Sequence, residues 1–392
     1  LIPADETIDL LNQCALKGIR NVIIVSGGFS ESGTDGERRQ KEAIRTAKEK
    51  GIRIMGPNAV GPVNTANHLV LPFYPLDSIK KGNVAFVAQS GQFCCPVMEF
   101  ANSFMALGIS KSIDLGNCSD IDEVDVLPYL ACDPDTRVIA IYMESIRRGR
   151  DFVNMARKVS KVKPIIVLKS GKTGSGLRAA SSHTGAMAVD DRIFDFAIRQ
   201  AGAIRAMDLD EFLDFAKIFS YAMMPKGNRI AIITYSGGVG SMVGDVCDES
   251  GLELTKLTDS VVKRIKPILP PLTRISNPLD CFSAGIPDDV FDSYRIPIMA
   301  FMDCTDVDMV LSCFVVNRVW TIDAGRLFKE LKDHLKKPIA VWVIGDYRRM
   351  KPFTEIVEEN QIPVFSSPER AVRAIGALWK YSSLCRTRNF NP

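Results

Sequence analysis

The sequence predicts an α/β protein built from three consecutive blocks of parallel strands covered by helices. Short β-branched runs recur along the chain, among them Asn21-Val22-Ile23-Ile24-Val25, Asn83-Val84-Ala85-Phe86-Val87 and Arg229-Ile230-Ala231-Ile232-Ile233. They are apolar without alternation, as strands buried on both faces must be. Amphipathic stretches of helical length separate them. The length of 392 residues suits two or three domains rather than one.

Composition narrows the class. Hydrophobic residues make up 46% and charged residues 24%, with a net charge of +3 and the two signs well mixed. That balance argues for neither a nucleic-acid groove nor a membrane surface. No stretch approaches the roughly 18 uninterrupted apolar residues of a spanning helix. The ten cysteines include no Cys-x-x-Cys, and Cys94 and Cys95 are adjacent. This fits neither a zinc site nor a disulfide framework, and a reducing cytoplasm is the expected setting.

In the first block, residues 1–75, a helix at 5–17 leads to a strand at 21–25. A second helix at 36–50 stops at Gly51, and Ile52-Arg53-Ile54-Met55 forms another strand. These are too few βα units for an independent doubly wound domain. Leu1-Ile2-Pro3-Ala4-Asp5 reads as a strand end followed by a helix cap, so further residues are expected upstream. Pro72, Pro75 and the polar stretch to Gly82 read as a linker. The second block, 76–224, opens at Asn83 and continues with strands at 109–113, 137–142 and 164–168. Helices are expected at 92–106, 121–132, 151–160, 189–200 and 208–220. The third block, 225–392, opens at Arg229, has strands near 252–255, 308–315, 338–343 and 363–365, and closes with a helix from Pro368 to about Leu378.

Blocks two and three open alike. Lys81-Gly82-Asn83 leads through a strand to Gln89-Ser90-Gly91, and Lys226-Gly227-Asn228 leads through another to Ser236-Gly237-Gly238. Each is a strand, a Ser-Gly turn and a helix, which suggests two related flavodoxin-like domains. A helix N-terminus carries unpaired N–H groups and a partial positive charge, a natural seat for phosphate. The two turns are expected to converge on one anion.

Histidine is scarce: His68, His183 and His334 are the three present, so no multi-histidine metal site is expected. His183 follows a strand, 164–169, and a long Gly- and Ser-rich loop that runs into Ser181-Ser182-His183-Thr184-Gly185-Ala186. Open α/β sheets place their chemistry in such loops at strand carboxyl ends. Gly171-Lys172-Thr173 is not a P-loop, because Ile166 stands where the first glycine is required.

Ser181-Ser182-His183-Thr184-Gly185-Ala186 resembles the active-histidine loop of the ADP-forming acyl-CoA synthetases, relatives of succinyl-CoA synthetase. Gly56-Pro57-Asn58-Ala59-Val60-Gly61 and Ser26-Gly27-Gly28-Phe29-Ser30-Glu31 resemble segments of the family's CoA-binding domain. Gln89-Ser90-Gly91, Gly116-Asn117, Tyr142-Met143-Glu144, Asn277-Pro278-Leu279-Asp280 and Ile362-Pro363-Val364-Phe365 follow in family order. The resemblance implies a partial Rossmann-like CoA-binding domain followed by two flavodoxin-like domains of the succinyl-CoA-synthetase type. It further implies an acid–CoA ligase in which acyl-CoA, phosphate and ADP interconvert with acid, CoA and ATP through an acyl phosphate and a phosphohistidine. His183 would carry the phosphoryl group and Glu144 would orient it, with no catalytic metal on this chain. Gln89, Ser90, Gly91, Ser236, Gly237 and Gly238 would bind phosphate, and Ser26, Gly27, Asn58 and Cys95 would face CoA or the acyl group. The nucleotide and Mg²⁺ are expected on an ATP-grasp partner subunit or further segment, within an oligomer. Alternatives are a non-catalytic acyl-CoA-responsive scaffold on the same fold and a citrate- or malate-activating relative. Ala59, where the family often has Cys, and the Cys94–Cys95 pair depart from the pattern.

Overall fold

The computed structural model describes residues 2–76, 78–176, 178 and 190–387. Contacts divide the chain into two compact units, one running to Phe212 and the other beginning at Leu213.

In the first unit, β1 (Asn21–Ile23) and β2 (Arg53–Met55) pair in parallel, with Val22 opposite Ile54. The helix Thr34–Lys50 sends Ala43 and Ala47 into a small core with Leu11, Ile24, Phe29 and Ile54. Gly51 ends that helix with φ 66°, and its N–H reaches the carbonyls of Ala47 and Lys48. Only glycine adopts this left-handed cap without strain.

A second sheet follows in the same unit. It comprises β3 (Val63–Asn64), β4 (Leu69–Val70), β5 (Lys81–Ala88), β6 (Ile109–Asp114), β7 (Val138–Met143), β8 (Ile165–Lys169) and β9 (Ile204–Ala206). Their spatial order is β4-β3-β6-β5-β7-β8-β9. Counting β5 as first, the parallel part runs 2-1-3-4-5, the flavodoxin-like order, with its switch point between the ends of β5 and β7. The short β3 lies antiparallel to β6, Val63 opposite Ser112. It covers what would otherwise be an open edge, so residues ahead of the expected linker extend this sheet.

The single helix expected at 92–106 is instead a π turn, Phe93–Val97, followed by the α-helix Met98–Ser103. Pro96 lies inside the π turn. It lacks an N–H and its ring clashes with the preceding turn, so a regular ladder cannot pass through it.

The second unit repeats the plan. Its strands are β10 (Arg229–Thr234), β11 (Glu253–Leu254), β12 (Leu279–Asp280), β13 (Met309–Val316), β14 (Ile339–Gly345) and β15 (Val364–Phe365). The order is β11-β10-β13-β14-β15, again 2-1-3-4-5, with β12 also on β10. Asn277 explains how β11 and β12 share one side of β10. Its amide accepts from Ile232 N at 2.9 Å and donates to the carbonyls of Ile230 (2.8 Å) and Thr255 (3.0 Å). The side chain thus completes the ladder where neither strand reaches. Tyr294, Phe301, Phe314 and Phe328 fill the core. Below the sheet, the Lys217 ammonium is held by the Glu358 carboxylate and by the carbonyl of Val364 at 2.7 Å.

The closing helix runs from Pro368 to Thr387, past the expected end. Its buried face continues through Leu378, Tyr381 and Cys385, and Gly376 lets it lie directly on Ser250 of the helix Gly237–Ser250, where a Cβ would come within 2.6 Å of the serine Cβ. Among the described residues, no helix is long and apolar enough to cross a membrane.

Candidate active site

The carboxyl ends of β5 and β7 carry two of the segments quoted for the resemblance. β5 runs into Gln89-Ser90-Gly91, and β7 into Glu144-Ser145. Tyr142, paired with Ala88 across the two strands, donates its phenol to Glu144 Oε1 at 3.2 Å. Phe93 stacks on the Tyr142 ring with centroids 3.6 Å apart and planes 10° from parallel. Burial pushes the phenol up to about 12, so it stays a donor at neutral pH.

Gln89 sits differently from expectation. Its Oε1 accepts the N–H groups of Glu144 (2.8 Å) and Ser145 (2.9 Å), and its Nε2 donates to the Ser145 carbonyl at 2.8 Å and to the Glu123 carboxylate. The amide therefore braces the Glu144 turn and has no donor left for an anion. Ser90 and Gly91 are half-buried and stand at the turn itself. In the second unit, Ser236 is the extended residue before the helix Gly237–Ser250, and its own side chain caps nothing. Gly237 and Gly238 are exposed, which leaves their backbone open to a ligand. Asp280 stands beside them, 3.5 Å from where a Cβ on Gly237 would lie.

Of the residues expected to face CoA, three come together. Asn58 N donates to Ser26 O at 3.0 Å, and a Cβ on Gly27 would lie 3.5 Å from Asn58 Oδ1. Asn58 has φ 60°, a region asparagine tolerates. Cys95 does not join them. It lies within the π turn at 1% exposure, because the π turn directs it inward. Burial, then Asp114, push its thiol up to about 11. Burial also drives the thiols of Cys94 and Cys118 well above their usual range. His183 lies outside the described residues.

Glu31 and Asn117 from the quoted segments, with the unremarked Gln40 and Asp114, tie these loops together. Glu31 accepts from Gly28 N (2.6 Å) and Phe29 N (3.0 Å), and Asn117 Nδ2 donates to its other oxygen at 2.5 Å and to Gln40 at 3.0 Å. Burial alone would raise the Glu31 pKa, but Asn117 and the backbone donors hold it below the usual carboxylate value. Asp114, at the end of β6, accepts from Val60 N at 2.6 Å and Gly116 N at 3.2 Å. The sequence signal for Asp114 was an acid between Ile113 and Leu115 at the carboxyl end of a strand, where such sheets work.

Gly116 lies in the left-handed region, φ 51°, and a Cβ there would sit 2.1 Å from Pro57 O and 2.8 Å from the Asn58 carbonyl carbon. Both are backbone atoms that cannot swing aside. Gly116→Ala is expected to destabilise the protein by about 3 kcal/mol, combining overpacking and backbone strain. Urea unfolding checks this; a loss under about 1 kcal/mol would contradict the close approach.

Burial pushes Asp114 up to about 6 from 3.8, against the pull of the Val60 and Gly116 amides. A raised acid favours the folded state while protonated, so this contribution is present below about pH 4 and is lost as pH rises towards about 6. Asp114→Asn keeps the shape of the protonated form. Its stability relative to wild type is expected to improve from pH 4 to pH 7 in parallel unfolding curves; a relative fall over that range would reverse the assignment.

Residues 81–219 match the family model of the succinyl-CoA ligase like flavodoxin domain. Over 383 residues the chain is 36% identical to ADP-forming acetate–CoA ligase II subunit alpha of Pyrococcus furiosus, a match covering 96% of this chain and 82% of that one. The chain belongs to the ADP-forming acid–CoA ligase family. It is also 37% identical over 382 residues to ADP-forming acetate–CoA ligase II of Archaeoglobus fulgidus, covering 97% of this chain but 56% of that one. The chain thus spans little more than half the length of that relative. A solved structure of dinucleotide-forming acetyl-coenzyme A synthetase 1 from Ca. Korarchaeum cryptofilum, in complex with phosphate and ADP, matches with a TM-score of 0.89 at 32% identity, covering 99% of this chain and 82% of that one. The ligase family therefore accounts for the repeated 2-1-3-4-5 sheet in both units.

Proposed function

We propose that this chain is the phosphoryl-relay part of an ADP-forming acid–CoA ligase, with His183 as the carrier and Glu144 as the carboxylate that orients it. The observation that carries the proposal is Glu144 itself, held from below by Gln89 and at its head by Tyr142, beside the Ser90–Gly91 turn at a sheet switch point. In the direction of ATP formation, a phosphate oxygen attacks the thioester carbonyl and the C–S bond breaks; CoA leaves as thiolate and takes a proton. A His183 ring nitrogen then attacks phosphorus, the bond to the acyl oxygen breaks, and the carboxylate departs. Finally a β-phosphate oxygen of ADP attacks the phosphohistidine and frees the imidazole. Glu144 accepts the N–H of the other ring nitrogen, which fixes the tautomer and makes the attacking nitrogen a better nucleophile.

Ser90 and Gly91 in one unit, and Ser236, Gly237 and Gly238 in the other, are proposed to bind phosphate through helix-start N–H groups. Ser26, Gly27 and Asn58 are proposed to contact CoA. Among the described residues no group of three or more His, Cys, Asp or Glu side chains is placed to hold a metal ion. By the family resemblance, Mg²⁺ and the nucleotide are proposed to bind on an ATP-grasp partner, within an oligomer. The test is CoA release from a panel of acyl-CoAs with the partner added. Release is expected to require phosphate and ADP and to yield ATP in step; phosphate-independent release would reject the relay.

A further inference from the structure

We propose that Gln89 and Glu123 form a buried positioning pair that sets the place of Glu144; the proposal rests on the reading of Glu144 given above. Gln89 has four hydrogen-bonding capacities in its amide and all four are filled, three by the Glu144–Ser145 backbone and one by Glu123. The two N–H groups facing Oε1 decide which way the amide is turned. Glu123 supports that choice by accepting from Nε2, although burial pushes its own carboxyl up to about 7.

Glu123 is a costly residue for this position. It stands in the first turn of the helix Glu123–Cys132, where an acid ordinarily reaches solvent or the helix N-terminus. Here it is 3% exposed, and no Lys or Arg pairs with it among the described residues. Cys118 Sγ lies 3.8 Å from its carboxylate. Asp122, next in the chain, is taken up by Arg148, which also reaches Asp125, and Arg147 donates to the Cys118 carbonyl at 3.0 Å. The arginines of the Glu144–Arg148 segment thus go to its neighbours, and Glu123 serves Gln89. A buried acid spent on a glutamine that in turn spends three bonds on one turn indicates that the turn has to be held in place. The Tyr142 phenol fixes the head of Glu144 and Gln89 fixes its backbone, so the carboxylate is set at both ends.

The test is an exchange in the complete enzyme with its partner subunit. Gln89→Glu sets two carboxylates face to face and removes the donor to Ser145 O. It is expected to lower kcat by about 10²-fold with KM for acyl-CoA and ADP within about threefold, and to slow labelling of His183 equally. In Gln89→Glu with Glu123→Gln, the carboxylate at 89 still accepts from Glu144 and Ser145, and the amide at 123 donates back to it. The double variant is expected to regain at least about tenfold of the lost kcat. Glu123→Leu keeps the volume but not the acceptor; kcat should fall about tenfold, with KM for acyl-CoA and ADP within about threefold. A Gln89→Glu enzyme within threefold of wild type, a double variant no faster than the single, or an unchanged kcat in Glu123→Leu would each overturn the pair. Glu144→Gln is run alongside. A slow Glu144→Gln with a normal Gln89→Glu rejects the pair alone, whereas a wild-type rate in Glu144→Gln rejects the role of Glu144 and the pair with it.

Discussion

His183→Asn is expected to abolish both turnover and phosphoryl labelling of this chain. Incubating the complete enzyme with labelled nucleotide or acyl phosphate should place label on wild type that is acid-labile and base-stable, the signature of phosphorus on nitrogen rather than on Ser182. Asparagine keeps polarity and approximate size but offers no nucleophilic ring nitrogen, so the step has no acceptor. Its neighbours Ser181, Ser182, Thr184 and Gly185 are small, and the folded state should survive the change. Glu144→Gln keeps the shape and the contact from Tyr142 but loses the charge that stabilises the developing imidazolium. A decrease of about 10²–10⁴-fold in the phosphorylation rate is expected. Normal phosphorylation with Asn at 183 would remove the central claim.

Lys217→Met is expected to cost about 3–5 kcal/mol in unfolding free energy, the usual result of removing one member of a buried ion pair. The side chains of Lys217 and Glu358 are 3% and 6% exposed, and the ammonium also serves the Val364 carbonyl at the start of β15. Methionine fills much the same space, so the loss measures the stranded acceptors rather than a cavity. Adding Glu358→Met should recover most of it, since an apolar pair of similar volume suits such a site. Chemical denaturation followed in the far-ultraviolet would show both effects; a single variant as stable as wild type would mean that the pair is solvated in solution.

Much of this fold was legible in the chain because parallel strands buried on both faces cannot alternate. Val84–Ala88, Ile165–Lys169 and Arg229–Thr234 all announce themselves as apolar runs closed by turn residues. The two-residue strands β3, β4 and β12 carry no period of their own; their neighbours' unpaired edges define them. The π turn at Phe93–Val97 was hidden because Pro96 reads equally as a helix start. The turns at Ser90, Ser236 and Gly27 were visible because glycine-bearing turns are local. The bracing bonds of Gln89 were invisible for the opposite reason: its partner Ser145 is 56 residues away, and the sheet alone brings the two together. Glu123 was invisible too, since an acid in a first helical turn needs no special explanation from sequence.

The inward-facing cysteines bear on chemical fidelity. A thiol with a pKa of about 11, as at Cys95, is ionised in only about one molecule in 10⁴ at pH 7. Burial likewise raises the thiols of Cys94 beside it and Cys118 beyond the Gly116–Asn117 turn well above their usual range. Thioester exchange proceeds through thiolate and needs the sulfur to reach the carbonyl. In a family whose substrates are thioesters, these sulfurs are both out of reach and in the wrong protonation state. On the proposed function, Cys94, Cys95 and Cys118 would therefore not take up acyl groups themselves.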